Sequence, residues 1–189
     1  SSAEATRSKV ARLCNVASNA VIESIDAETI YDVPLLMQSE KFDEVVLQKL
    51  GMSFEDTQPD LTTWKQFLHH HKNPKSTVKI GLIGKYVELK DSYKSIAESL
   101  IHAGAKLEAR VEIEWIHSES IMAKNAHETL QGLDGILVAP GFGSRGIDGK
   151  IETITHAREQ NIPFFGICLG MQCAVIEFAR NVLHLEDAH

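Results

Sequence analysis

The chain has 189 residues, 43% hydrophobic and 24% charged, ordinary values for a globular fold able to bury a sizeable core. A formal net charge of −7 argues against phosphate-backbone binding, which needs a basic surface, so no nucleic-acid partner is expected. No apolar run reaches the roughly 18 residues needed to cross a bilayer, and the opening SSAEATRSKVAR has no secretory core. No membrane partner and a cytoplasmic location are expected. Cys14, Cys168 and Cys173 cannot all pair within the chain, so free thiols in a reducing compartment are expected.

In chain order, KVARLCNV and AVIES are expected to be short strands. Pro34 marks a turn or helix start in IDAETIYDVPLLMQ. Ser39 is positioned to cap a helix carrying Phe42, Val45, Val46 and Leu50 on one face, with Gly51 as its stop. This leading piece, residues 1–55, has too few apolar residues to fold alone and is expected to be the end of something larger. Residues 56–76 carry two prolines and a polar bias, the pattern of an interdomain linker, with a short helix from Trp64 to His70. His69, His70 and His71 point about 100° apart on a helix and cannot converge on one ion. No metal ligand set is expected.

Residues 77–189 alternate strands and helices. VKIGLIGKYV is a nearly continuous apolar strand. Asp91 and Ser92 can cap a helix carrying Tyr93, Ile96, Ala97, Leu100 and Ile101, which Gly104 ends. Ala109, Val111, Ile113 and Trp115 alternate with charged residues, a strand with one wet face. SIMAKNAHETLQG, GKIETITHAREQ and LGMQCAVIEFARNVL are expected helices; GILVAP and IPFFGIC are expected strands. Four such units predict a doubly wound, mainly parallel α/β sheet, whose ligands bind at the carboxyl ends of the strands.

Three segments fall at those ends. GLIGKY lacks the spacing of a phosphate loop, and Tyr86 stands where a magnesium-binding hydroxyl is needed. Gly141-Phe142-Gly143-Ser144-Arg145-Gly146 matches G-x-G-x-x-G, so a dinucleotide-binding domain is an alternative; no acidic ribose partner follows about 20 residues on. The same glycine chemistry can offer N–H groups to a developing anion. Gly166-Ile167-Cys168-Leu169-Gly170 is a G-x-nucleophile-x-G elbow with cysteine as the nucleophile. Small flanks permit the sharp turn, and a thiol at a helix N-terminus is favoured as thiolate. Another cysteine hydrolase of the same fold is a second alternative.

IPFFGICLGMQ with AVIEFARNV resembles the nucleophile elbow of the CTP synthase family, which belongs to the triad (class I) glutamine amidotransferases. GILVAPGFGSRGIDGKI resembles that family's oxyanion loop. VKIGLIGKYVELKDSYKSIAESLIHAG resembles the opening of its glutaminase domain, and KVARLCNV…VIESIDAETIYDVPLLMQ the last portion of its synthetase domain. The resemblance implies an incomplete amidotransferase domain at 77–189 preceded by a synthetase-domain tail. It implies glutamine hydrolysis at Cys168, with ammonia passing through a tunnel to UTP activated by ATP, giving CTP. Backbone N–H groups of Gly141 and Leu169 would hold the oxyanion; Leu169, Gly170, Met171 and Gln172 would contact glutamine. Lys9 falls where the family contacts the pyrimidine nucleotide, and Ile25, Asp26 and Ala27 where it contacts ATP. Arg145 falls in a loop linked to activation by GTP.

The resemblance also implies magnesium with ATP and a homotetramer for the intact enzyme, with no cofactor held within this chain. Three departures qualify it. A glycine-rich ATP loop is absent, the family's triad histidine and glutamate lie beyond the elbow's helix, and Ala139-Pro140-Gly141 replaces the commoner Pro-Gly-Gly. On one continuous helix His184 would stand roughly 24 Å from Cys168. The 189 residues alone are therefore expected to make no CTP and to show little glutaminase activity.

Overall fold

The computed structural model describes residues 2–54 and 59–189. The chain divides into two compact units, Ser1–Leu68 and His69–His189. Residues 56–58 of the expected linker lie outside the described residues.

The first unit is helical: α1 (Ser2–Cys14), α2 (Val33–Ser39), α3 (Phe42–Lys49) and the start of α4 (Thr62–Lys72). KVARLCNV, expected as a strand, instead lies largely within α1. Ala3, Ala5, Lys9, Ala11 and Arg12 are strong helix formers. Val10 and Leu13 are 38% and 77% exposed, and the described residues of this unit form no sheet to reward an extended backbone. AVIES, also expected as a strand, starts at the end of a 3₁₀ turn at Ser18–Ala20 and continues without regular structure. Pro34 does sit in the first turn of α2. Ser39 does not cap α3; it closes α2, its hydroxyl donating to Leu36 O at 2.7 Å. Lys41, at φ 59°, precedes α3 instead. Tyr31 anchors this unit: its carbonyl accepts from Trp64 Nε1 at 2.8 Å, and Phe67 meets its ring edge-on at 5.0 Å. Ala11, Tyr31 and Leu68 are the buried hydrophobics among its described residues, a sparse core for this length.

The second unit contains a four-stranded sheet, every neighbouring pair parallel, in the order β2-β1-β3-β4. The strands are β1 (Ser76–Gly84), β2 (Ala109–His117), β3 (Gly135–Val138) and β4 (Phe164–Gly166). Helices α5 (Lys94–Lys106), α6 (Ala126–Leu130), α7 (Ile147–Glu159) and α8 (Leu169–Asn181) connect or follow them. Side chains alternate across the sheet. Leu82 and Leu137 pack with Tyr93, Ile96 and Trp115 on one face; Ile83 and Val138 pack with Leu130, Ile151, Ile154 and Cys173 on the other. With helices on both faces the sheet is doubly wound, as the strand–helix alternation predicts. The strand order reverses between β1 and β3, which puts the ligand crevice outside their carboxyl ends.

Two local expectations differ. Gly104 lies inside α5 rather than ending it; a Cβ there would collide with Ala109 O, so glycine serves close helix–strand approach. SIMAKNAHETLQG is helical only over Ala126–Leu130, because Asn125 caps a turn by accepting from Met122 N at 2.7 Å.

α8 is tied to α7 by one buried carboxylate. Glu177, 1% exposed, accepts from Arg158 Nε and Nη2 at 3.0 and 2.9 Å and from Asn181 Nδ2 at 3.1 Å. Burial pushes its pKa up, but the Arg158 and Asn181 hydrogen bonds outweigh that, and the net shift is downward. A lowered carboxylate pKa adds stability that is complete above the unfolded value of about 4.3 and disappears as the pH falls through the folded value. Glu177→Ala should therefore cost about 2–3 kcal/mol, less than a fully buried pair because the Arg158 side chain is 36% exposed. Urea midpoints at pH 7 and pH 3 check this: the wild-type advantage should shrink at pH 3.

Candidate active site

The chain turns abruptly where β4 passes into α8. Cys168 takes φ 52° and ψ −109°, a conformation costing a non-glycine residue about 1–3 kcal/mol, and it is exposed. The turn closes because two neighbours lack side chains. A Cβ on Gly166 would stand 2.7 Å from Gly170 C and Met171 N, and one on Gly170 would overlap Val138 O. Cys168 O accepts from Gln172 N at 3.1 Å, starting α8 with the thiol at its N-terminal end. Leu169 N–H donates to no acceptor among the described residues, nor does Gly141 N–H. Cys14 is exposed and Cys173 fully buried, where burial pushes its thiol pKa up.

The strands bring the glycine loop to this elbow. Ile83, Val138 and Gly166 are in register, so β1, β3 and β4 end level. Ile167 N donates to Val138 O at 3.0 Å and Ala139 N to Ile83 O at 2.9 Å, carrying the ladder to both turns. Adjacent strands are about 4.8 Å apart, so Cys168 emerges beside Pro140-Gly141. Beyond them the loop docks on the end of β2. Gly146, at φ 76°, has no room for a Cβ against Ser118 Oγ, and Arg145 Nε pairs with Glu119 Oε1 at 2.7 Å.

Two lysines lie underneath. Lys85 Nζ donates to Phe142 O at 2.6 Å and Gly143 O at 2.9 Å, and Lys150 Nζ donates to Ala139 O at 2.8 Å. Burial pulls the Lys150 pKa down, Cys173 and Cys168 oppose this, and the Lys85 charge adds to it. At the end of β1, Tyr93 Oη accepts from Lys85 N at 3.1 Å, and its ring fills the space over Gly84.

With this geometry described, the relatives become informative. The family described as glutamine amidotransferase class-I matches residues 88–189, more than half of the chain. The chain belongs to that family. Its first 52 residues match a second family, CTP synthase N-terminus. The CTP synthase of Cytophaga hutchinsonii is 64% identical over 183 residues, 97% of this chain and 34% of that protein. The CTP synthase of Ruminiclostridium cellulolyticum is 52% identical over the same share of each. A solved glutaminase domain of Trypanosoma brucei CTPS with bound acivicin is 43% identical with a TM-score of 0.55, covering 58% of this chain and 43% of that one. The chain thus spans about a third of the length of the curated relatives it matches.

Within this class I amidotransferase segment, Cys168, Gly141, Leu169 and Gly170 gather at the carboxyl edge of β3 and β4. Met171, 54% exposed, and Gln172 occupy the first turn of α8. Lys9 is exposed on α1, and Ile25, Asp26 and Ala27 lie on irregular backbone in the other unit. None of these four lines that unit's cavity of about 290 Å³, which Thr6, Arg7, Val10 and Glu23 border. Among the described residues no group of three or more His, Cys, Asp or Glu side chains could hold a metal ion.

His156 lies nine residues into α7, about 14 Å along it, with its pKa lowered by burial and by His127. His117 ends β2, three strands from β4. Sequence reasoning missed Lys85 and Lys150. A signal for the second existed: Lys150 falls at the i+3 position from Ile147 and i−4 from Ile154, on the apolar face of its helix.

Proposed function

We propose that this chain supplies the glutamine-hydrolysing nucleophile, and the end of the preceding synthetase domain, of an enzyme that makes CTP from UTP, ATP and glutamine. The observation that carries this is the strained, exposed Cys168 at the N-terminus of α8, beside the Gly141 loop. Similarity to CTP synthases over 97% of the chain supports it. Residues 1–55 are assigned to the synthetase tail, 56–76 to the linker and 77–189 to the amidotransferase domain.

In this mechanism the Cys168 thiolate attacks the carboxamide carbon of glutamine. The carbonyl oxygen becomes an oxyanion held by the N–H groups of Gly141 and Leu169; one such donor is typically worth about 10²–10³ in rate. Ammonia leaves, a thioester remains on Sγ, and water releases glutamate. Leu169, Gly170, Met171 and Gln172 form the glutamine-contacting stretch. Lys9 serves the pyrimidine nucleotide, and Ile25, Asp26 and Ala27 serve ATP. The proton-transferring histidine and its glutamate are assigned to sequence outside this chain, as are the remaining ATP and magnesium contacts. GTP activation through the Arg145 loop, a homotetramer and a cytoplasmic location complete the proposal.

Competitive alkylation tests the elbow. Iodoacetamide followed by peptide mass spectrometry should label Cys168 faster than Cys14, and Cys173 slowest. Equal rates at Cys168 and Cys14 would remove the case for an activated thiol.

A further inference from the structure

Lysine is almost never fully buried without a partner charge, yet two lysines are sealed beneath the 139–143 segment. Lys150 is 0% and Lys85 3% exposed, and among the described residues neither pairs with a carboxylate. Packing does not call for them, since methionine would fill the space of either stem. Their ammonium groups bind main-chain carbonyls only: Ala139 O for Lys150, Phe142 O and Gly143 O for Lys85. Those carbonyls flank Gly141 on both sides. Gly141 itself sits over the pair, its Cβ position 3.9 Å from Lys150 Nζ and 3.9 Å from Lys85 Cδ.

A trans peptide is planar, so fixing the Ala139 carbonyl also fixes Pro140 N, and the proline ring holds φ of Pro140. With the Phe142 and Gly143 carbonyls anchored on the far side, the two peptides that join Pro140, Gly141 and Phe142 have little freedom to turn. We propose that Lys150 and Lys85 are positioning residues for glutamine hydrolysis, clamping the flanks of Gly141 so that its N–H is set for the oxyanion before substrate arrives. The clamp rests on the assignment of Cys168 as the nucleophile. Neither lysine exchanges a proton or a bond with substrate; their fixed positive charge beneath the loop also favours the negative oxygen above it. Burial lowers the Lys150 pKa, as expected where charge is retained at a cost to the fold.

The test uses Lys150→Met and Lys85→Met in the full-length polypeptide that carries this chain. Four quantities are measured: glutaminase kcat, glutamine KM, the iodoacetamide rate at Cys168, and Tm. A misplacement near 1 Å costs about 10²-fold, so kcat should fall about that far in each variant with KM little changed. Alkylation forms no oxyanion and should slow far less than hydrolysis, by no more than the loss of one positive charge near the Cys168 thiolate brings. Tm should change little, because removing a buried charge with no carboxylate partner offsets the loss of the hydrogen bonds to the loop carbonyls. A kcat within threefold of wild type in both variants overturns the clamp.

A merely structural role has a different signature. Tm would fall together with kcat, and Cys173 would become open to alkylation. That result in both variants also overturns the clamp; if only one variant unfolds, the other decides. Cys168→Ala runs alongside. Should it keep glutaminase activity, the nucleophile assignment falls; should it be inactive while both methionine variants are unimpaired, only the clamp falls.

Discussion

Replacing Cys168 by alanine in the full-length polypeptide should lower glutamine hydrolysis by about 10⁴-fold or more, the scale on which a covalent nucleophile is lost. CTP formation supplied with free ammonia should be unchanged. The fold should not suffer, because alanine inherits the backbone of Cys168 at φ 52° and ψ −109° and loses no core contact, the thiol being exposed. Cys168→Gly gives a sharper reading. Glycine reaches that conformation freely, so this variant should be equally inactive yet more stable by about 1 kcal/mol, after its larger unfolded-state entropy is counted. Glutaminase and ammonia-dependent assays with a urea titration check both. Stability gained as activity is lost would mark strain retained for function; an active Cys168→Gly enzyme would end the proposed mechanism.

The second large effect is expected at Gly170. Its added Cβ would overlap Val138 O, a backbone atom that also accepts from Ile167 N at 3.0 Å. Neither partner is a flexible side chain, so the start of α8 must move away from β3. Gly170→Ala should cost about 3 kcal/mol, the upper range for overpacking, and should disrupt the elbow with it. Gly132→Ala is the control. That residue has φ 78° and nothing within 4 Å, so only the backbone penalty of about 1 kcal/mol applies. Urea midpoints of the two variants should separate clearly. Equal midpoints would show that α8 does not approach β3 as closely as the Val138 contact requires.

Much of the second unit is legible in the sequence because each signal is local. The apolar runs of VKIGLIG and GILV belong to strands covered on both faces, and the period in KSIAESLI belongs to a helix with one buried side. Gly166 and Gly170 bracket Cys168, and a turn this tight admits little else. The first unit was less legible for an equally physical reason. KVARLCNV alternates well enough for a strand, but the described residues of that unit form no sheet to pair with it, and helix propensity decides. Gly104 illustrates the limit within a single residue: it has the look of a helix stop, and only the position of Ala109 O across the helix–strand contact reveals why it is glycine.

By itself the sequence determined the order of strands and helices in the second unit, the elbow and the choice of cysteine at its apex, since these depend on residues a few positions apart. Tertiary structure alone decided what surrounds the elbow. Parallel register set Pro140-Gly141 beside Cys168 across 27 residues of chain, and brought Lys85 beneath a loop 57 and 58 residues away. Lysine in a one-dimensional string signals a solvated charge. It becomes a buried clamp only when strands from distant parts of the chain place main-chain carbonyls around its ammonium group.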